Sequence, residues 1–274
     1  MNPIGVVICN YNKKDFVLQC VQSVLKSKEK NFDIYVVDNA SSDGSAEALK
    51  KAYGNRITVI ENKENLGGSG GFNTGLRIVR DKGYSYFMCL DDDAAVDENA
   101  LSVLYHYMEE HTDTGMAGCR VYHTQMSDYI QQSGLLIDFD NCTAKTIGAD
   151  MPEDGSLPDV IECDTVATCA VMVRADTVKQ KGVGIMPEDN FIYWDDMEWG
   201  YRIKLAGYRV VTLAEAKALH QMGANTKKEN TFINYYMWRN RTNFFMRFTP
   251  EAQMEAMSVK VLGAVFDAMY ESMF

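Results

Sequence analysis

A chain of 274 residues with 46% apolar content has enough apolar side chain to bury one large core, as a single domain or a domain with an appendage. The formal charge of −11 argues against a duplex nucleic-acid binder, because no excess of Lys and Arg exists to neutralise phosphates. Cys9, Cys20, Cys89, Cys119, Cys142, Cys163 and Cys169 are odd in number, form no Cys-x-x-Cys pair and mostly occupy apolar runs. That pattern fits reduced, buried thiols in a cytosolic protein rather than a disulfide framework. No basic segment followed by a long apolar one opens the chain, and no apolar run is long enough to span a bilayer, so neither a signal peptide nor a membrane helix is expected.

In chain order, Ile4 to Cys9 is a short apolar run that stops at Asn10-Tyr11-Asn12. The next stretch sets Phe16, Cys20, Val21, Val24 and Leu25 on one helical face. Ile34 to Val37 predicts a second strand ending at Asp38. Ser45 to Tyr53 predicts a helix after a Ser-Ser-Asp-Gly turn, and Ile57 to Ile60 a third strand. A glycine-rich loop at 67 to 71 leads into a helix ending near Lys82, and the strand Tyr84 to Leu90 then runs into Asp91, Asp92 and Asp93. The following helix carries Leu101, Leu104, Tyr105 and Met108. Strands alternating with helices at this rate imply an α/β fold with a mostly parallel, doubly wound sheet, in which ligands sit beyond the carboxyl ends of the strands. Asn10, Asp38 and Asp91 all fall at such ends.

From about 115 to 174 the rhythm changes to short segments, Ile130 to Ile137 and Val166 to Val173 among them, around a polar loop near Pro152 to Pro158. These read as an antiparallel, mixed extension of the sheet. A helix from about Asp196 to Ala206, a strand at Val210 to Leu213 and helices near 231 to 247 and 250 to 273 complete the chain.

Three adjacent carboxylates at a strand end repel one another unless solvent or a cation compensates. A hard divalent ion would take their oxygens and leave sites for substrate phosphate; a solvated acidic turn capping the next helix is the alternative. The run Asn65, Leu66, Gly67, Gly68, Ser69, Gly70, Gly71, Phe72, Asn73 could let backbone approach a phosphate or sugar, or serve as a plain flexible turn. Between Phe191 and Gly200, aromatic residues stand against Asp195, Asp196 and Glu198. Such surroundings raise a carboxylate towards the working range of a general base. The competing reading has Asp195 or Asp196 cap a helix while Glu198 pairs with Arg202 one turn on. His220, after the apolar run Ala216 to Leu219, could supply an imidazole nitrogen to a metal, whereas His106, His111 and His123 have no carboxylate pattern around them.

Taken together, Asn10-Tyr11-Asn12, the run from Val37 through Asp38 to Gly44, the Asn65 to Gly68 turn, Leu90-Asp91-Asp92-Asp93 and Trp194-Asp195-Asp196 resemble family-2 glycosyltransferases of the GT-A fold, in order and spacing, over residues 4 to 222. The resemblance implies a GT-A-type catalytic and nucleotide-sugar-binding domain over 1–225, with a helical appendage over 226–274 packed on it. It assigns Asn10, Tyr11, Asn12 and Asp38 to the nucleobase, with Asp38 accepting from the N3–H of uracil or thymine. Asn65, Gly67, Gly68, Asp92 and Trp194 would add donor contacts. Asp91, Asp93 and His220 would bind Mn2+ or Mg2+ against the diphosphate, and Asp196, or its neighbour Asp195, would be the base of an inverting transfer.

Within the family, the glycine loop, the Trp-Asp-Asp motif and the later histidine look most like bacterial galactofuranosyltransferases and their rhamnosyltransferase relatives. That points to UDP-galactofuranose or dTDP-rhamnose as donor, to a glycan or lipid-linked acceptor, and to cell-surface polysaccharide synthesis. Family members of this kind often carry an extra C-terminal domain. A sugar-phosphate nucleotidyltransferase, which would not require the Trp194-Asp195-Asp196 base, and a catalytically silent sugar-nucleotide or glycan-binding module are the rival readings.

Met254, Met257, Val261, Leu262, Val265, Phe266, Met269 and Met273 lie close to one face of the last helix. Packing on the domain, a second copy in a homo-oligomer, or peripheral contact with the inner face of a membrane would each cover that face. In the last case Lys227, Lys228, Arg239, Arg241 and Arg247 would add attraction to anionic lipid; otherwise those cations would line a diphosphate or acceptor groove.

Overall fold

The computed structural model describes residues 3–221 and 231–271, with side chains in the last helix described as far as Phe266. The expected alternation opens the chain: β1 (Ile4–Asn10), α1 (Lys14–Leu25), β2 (Phe32–Asp38), α2 (Ser45–Tyr53), β3 (Thr58–Glu61), α3 (Gly67–Lys82) and β4 (Tyr86–Asp91). These four strands lie parallel in the order β3-β2-β1-β4. Their register pairs Asn10 with Asp38 and Cys9 with Asp91, so three polar strand ends reach the same edge of the sheet.

After β4 come β5 (Ala94–Val96), α4 (Ala100–Glu110), β6 (Thr114–His123), β7 (Met126–Gln132), β8 (Leu135–Asp138), β9 (Thr143–Thr146), β10 (Met151–Pro152), β11 (Val160–Glu162) and β12 (Ala170–Arg174). α5 (Asp195–Leu205), β13 (Arg209–His220), α6 (Thr231–Phe248) and α7 (Met254–Glu271) follow. β12 runs antiparallel between β4 and β6, and β13 pairs parallel with the other side of β6, so the sheet is mixed but dominated by parallel pairs around β1.

Apolar side chains cover both faces. Val17, Cys20, Val21 and Val24 of α1 pack with Leu101 and Leu104 on Ile4, Val6 and Ile8, while Leu76, Val79, Trp199 and Ile203 pack on Val7 and Val37. Phe16, expected on the inward face of α1, is exposed. The buried i, i+3, i+4, i+7 set starts at Val17, and Phe16 falls about 100° round the helix from it. All seven cysteines are free thiols, six buried and Cys9 half-buried.

Four other differences have local causes. The glycine segment is not a loop, because α3 begins at Gly67 itself. A Cβ on Gly71 would come 2.4 Å from Cys9 Sγ, and one on Gly75 2.4 Å from Val7 Cγ1, so these glycines let the helix lie close on β1. The segment Ile130 to Ile137 divides into β7 and β8 at Ser133-Gly134, where Gly134 takes φ +97°. β13 runs well past Leu213, through an irregularity before Lys217, and pairs with the unforeseen β5. Val166 to Cys169 stay outside β12, which starts at Ala170 after a turn.

On α7, Met257 and Val261 are buried with Phe244 and Phe245, whereas Leu262 and Phe266 are exposed. Lys227, Lys228, Met273 and the side chain of Met269 lie outside the described residues. No described helix is long and apolar enough to cross a membrane.

The close approach of α3 to β1 has a measurable consequence. Gly75→Ala improves helix propensity by about 1 kcal/mol yet drives a methyl into Val7 and Val37. Overpacking of about 1–3 kcal/mol should win, lowering the urea midpoint of unfolding.

Candidate active site

The level ends of β1, β2 and β4 form the floor of a cleft of about 850 Å³. Cys9, Tyr11, Lys13, Asn39, Asn65, Gly67, Gly68, Asp91 and Asp92 line one part of it, and Phe191 to Met197 with Phe232, Met237 and Arg241 line another. The aspartate run lies where the strand delivers it. Asp92 accepts the Tyr11 backbone N–H at 3.0 Å and meets Lys13 Nζ at 3.1 Å; the same ammonium lies 2.6 Å from Asp93. Burial nonetheless lifts Asp92 to about 7.

The long β13 ends by placing His220 against the run, its Nε2 3.2 Å from Asp93 Oδ1 and 3.6 Å from Asp91 Oδ2. Burial works against ionising Asp93, but His220 and Lys13 outweigh it and hold that carboxyl below its usual range. Asp91, which has weaker compensation, is raised by burial. His220 loses hydration, which disfavours its charged form, but the two carboxylates raise its pKa overall. Asp93 Oδ1 is buried with no hydrogen-bond donor aligned on it among the described residues. One ligand atom from each of Asp91, Asp93 and His220 falls within 4.8 Å of the others. Two hard oxygens, one imidazole nitrogen and an orphaned lone pair fit a divalent cation of the Mn2+ or Mg2+ kind.

Asp195 and Asp196 open α5 at the opposite wall. Asp195 Oδ2 accepts the Ser69 hydroxyl at 3.0 Å, which ties it to α3. Asp196 Oδ1 accepts the N–H of Met197 at 2.7 Å. Burial raises Asp195 to about 6 and Asp196 to about 7, the second pushed further by the charge of Asp195. Neither carboxylate is the N-cap of α5, a position that Trp194 takes without a side-chain bond; both lie in the first turn of the helix.

This wall is an unusual backbone. Phe191, Tyr193 and Trp194 all have positive φ, at 63°, 66° and 63°, which bulky residues rarely adopt. The loop is held from α6. The Nδ2 of the fully buried Asn240 lies 2.8 Å from the carbonyl oxygens of Asn190, Ile192 and Tyr193. Arg247 bonds both oxygens of the buried Glu198 at 2.8 Å and also pairs with Asp189. Glu198 takes Arg202 as well, the helical pair expected from the sequence. The Trp194 ring packs against Phe244 and Phe245 and is buried.

Of the residues singled out in the sequence, Tyr11, Asn65, Gly67, Gly68, Asp91, Asp92, Trp194, Asp195 and Asp196 line the cleft, with Asp93 and His220 beside them. Asn10, Asn12 and Asp38 are not among its lining. Asn10 Nδ2 donates to Asp38 Oδ1 at 2.9 Å, Ser41 N–H donates to Asp38 Oδ2 at 3.1 Å, and Asn12 Oδ1 accepts from Ser42 N–H. They fasten the β1 and β2 loops together. Lys13 and Asn240 escaped the sequence reading, and Ser69 and Asn39 stood within its motifs without a role of their own. The Asn39 amide ties Asn65 and the Gly67 carbonyl to the end of β2.

Residues 5–167 match the family model described as glycosyl transferase family 2. Among curated proteins, glycosyltransferase GlyG of Streptococcus pneumoniae is 29% identical over 109 residues, 39% of this chain and 35% of that one. UDP-Glc:alpha-D-GlcNAc-diphosphoundecaprenol beta-1,3-glucosyltransferase WfaP of Escherichia coli is 30% identical over 109 residues, 40% and 42% of the two chains. The aligned part thus spans less than half the length of either relative. In fold, the chain is similar to the mannosyltransferase PcManGT of Pyrobaculum calidifontis, solved with GDP-Man and Mn2+, at TM-score 0.64 and 14% identity, over 89% of this chain and 63% of that one. It is also similar to S. aureus TarS 1-349 in complex with UDP, at TM-score 0.62 and 15% identity, over 96% and 72%.

The Asn240 clamp is open to a stability test. Asn240→Leu keeps the volume but leaves buried carbonyls without a donor, and should cost at least about 1–3 kcal/mol in urea unfolding. An unchanged midpoint would show that the strained loop holds itself.

Proposed function

The chain belongs to glycosyl transferase family 2, and we propose that it transfers a sugar from a nucleoside-diphosphate donor to an acceptor hydroxyl with inversion at the anomeric carbon. The observation that carries this reading is the meeting, in one cleft, of the Asp91, Asp93 and His220 triad with a carboxylate raised to about 7 at Asp196. A cation site alone would suit a nucleotidyltransferase equally well. The raised carboxylate supplies the base that sugar transfer needs.

In this reading Asp91, Asp93 and His220 hold Mn2+ or Mg2+, which when bound offsets the negative charge of the diphosphate leaving group. Tyr11, Asn65, Gly67, Gly68 and Asp92 contact the donor, and Asn10, Asn12 and Asp38 hold the loops that frame its base. Asp196 takes the proton from the acceptor hydroxyl as that oxygen forms its bond to the anomeric carbon. The bond to the diphosphate breaks on the opposite face, and the nucleoside diphosphate leaves with the electron pair. Asp195, tethered to Ser69, orients the acceptor and keeps the charge of Asp196 low until it is needed.

UDP-galactofuranose and dTDP-rhamnose are the first donors to test, because the motif set looks most like enzymes using them. A glycan or lipid-linked acceptor in cell-surface polysaccharide synthesis is supported by the name of the WfaP relative, which specifies a diphosphoundecaprenol-linked acceptor. Work on such an acceptor would take place at the inner face of a membrane.

The test is product analysis with each sugar nucleotide and Mn2+ or Mg2+. Release of nucleoside diphosphate supports transfer, release of pyrophosphate indicates nucleotidyl transfer, and binding without turnover indicates a silent module. Asp196→Asn should reduce kcat by about 10²–10⁴-fold while UDP binding with Mn2+ persists; near-normal turnover would sink the assignment.

Only charged Asp196 can accept a proton, and its pKa is raised to about 7. The kcat/KM of the wild type should therefore be level above that pH and fall about tenfold per unit below it. A profile flat down to pH 5 would contradict it. Asp93→Ala should abolish the gain in UDP affinity that Mn2+ confers, read by calorimetry with and without the metal.

A further inference from the structure

β7 pairs with β6 through two irregularities, the first of which is a bulge. Val121 of β6 stands opposite Gln132 and the next residue, Tyr122, stands opposite Ile130, so Gln131 is the extra residue of a bulge. Bulges of this kind turn a side chain out of the regular alternation and aim it elsewhere. Here the aim is His220. The Gln131 Nε2 donates to the His220 backbone carbonyl at 3.2 Å, and Gln131 Oε1 lies 2.7 Å from His220 Nδ1.

Those two contacts fix more than position. A backbone carbonyl only accepts, so the amide end facing it must be the NH2 group. The reversed amide would set two carbonyl oxygens against each other. The remaining end, the amide oxygen, also only accepts, and it faces Nδ1. Nδ1 must then carry a hydrogen, so Nε2 is the nitrogen whose lone pair a cation would take; without a cation it too carries a hydrogen towards the carboxylates. That nitrogen is the one lying 3.2 Å from Asp93 Oδ1 and 3.6 Å from Asp91 Oδ2.

We propose that Gln131 is a positioning residue: through the bulge in β7 it fixes the hydrogen of His220 on Nδ1 and holds the ring so that Nε2 faces the two carboxylates. The proposal rests on the reading of Asp91, Asp93 and His220 as a cation site, and it assigns to a neutral amide the orienting task that a carboxylate or backbone carbonyl performs for many metal-binding histidines. The amide adds no charge to a cluster already crowded with carboxylates. Because one side chain grips both the ring and the main chain of the same residue, rotation of the imidazole would break the bond to Nδ1 while the grip on the carbonyl remained.

Two measurements on the whole chain test this. In a long-range 1H–15N spectrum without metal, at a pH that keeps the ring charged, the His220 Nδ1–H should be hydrogen-bonded and slow to exchange with solvent. The chain has only 4 histidines, so comparison with His220→Ala identifies the signal. Gln131→Leu, which removes the acceptor at Nδ1, should make that hydrogen exchange fast. In a titration with Mn2+ alone, followed by the electron paramagnetic resonance signal of the free ion, Gln131→Leu should weaken binding by about 10–100-fold. A fast-exchanging Nδ1–H in the wild type, or Mn2+ affinity unchanged in Gln131→Leu, overturns the proposal. Mn2+ affinity unchanged in His220→Ala overturns the cation reading instead and removes the proposal's premise, an outcome kept apart because the nitrogen spectrum contains no metal.

Discussion

Five carboxylates, at 91, 92, 93, 195 and 196, share one cleft floor and wall, and mutual repulsion in partial burial is the constraint to which the surrounding structure answers. Four of them are met by a group brought from far away in sequence. Lys13 arrives from the loop after β1, His220 from the end of the long β13, and Ser69 from the first turn of α3. The compensation is uneven. Asp93 is held low while Asp92, Asp195 and Asp196 are raised, so the cluster is neither fully charged nor neutral near pH 7. Such a cluster is receptive to a cation on one side and to a proton on the other.

The parts legible in the sequence are those whose signal is local. The apolar run ending in three aspartates made β4 and its polar end visible, and the turn before Ser45 set the bounds of α2. The level strand ends follow from a parallel sheet, so the meeting of the Asp38 and Asp91 ends could be anticipated. Resemblance added what no local pattern held, the association of His220 with the aspartates.

What escaped depends on pairing across distance. Glu215 and Lys217 interrupt the continuous apolar run that ends at Leu213, yet they alternate with buried Ala216 and Ala218, and pairing with β5 and β6 carries the strand on to His220. The glycines of α3 read as a loop because glycine disfavours helix, a preference overridden by the space they open for β1. A glutamine in a bulge and an asparagine in a distant helix have no sequence signature at all. Even Asp38, correctly located, has its oxygens turned to Asn10 and Ser41.

The run of left-handed residues before α5 has a wider meaning for how this chain can change. Three bulky side chains there occupy a backbone shape that glycine or asparagine would accept with less strain, and α6 supplies the donors that keep it so. Substitutions that relax the loop would be favoured by any search for a sturdier molecule, and each would loosen the turn from which Asp195 and Asp196 project. Durability and competence pull in opposite directions at these few positions. The strain at Phe191, Tyr193 and Trp194 therefore marks where a thermostable descendant of this chain would be most at risk of becoming an inert one.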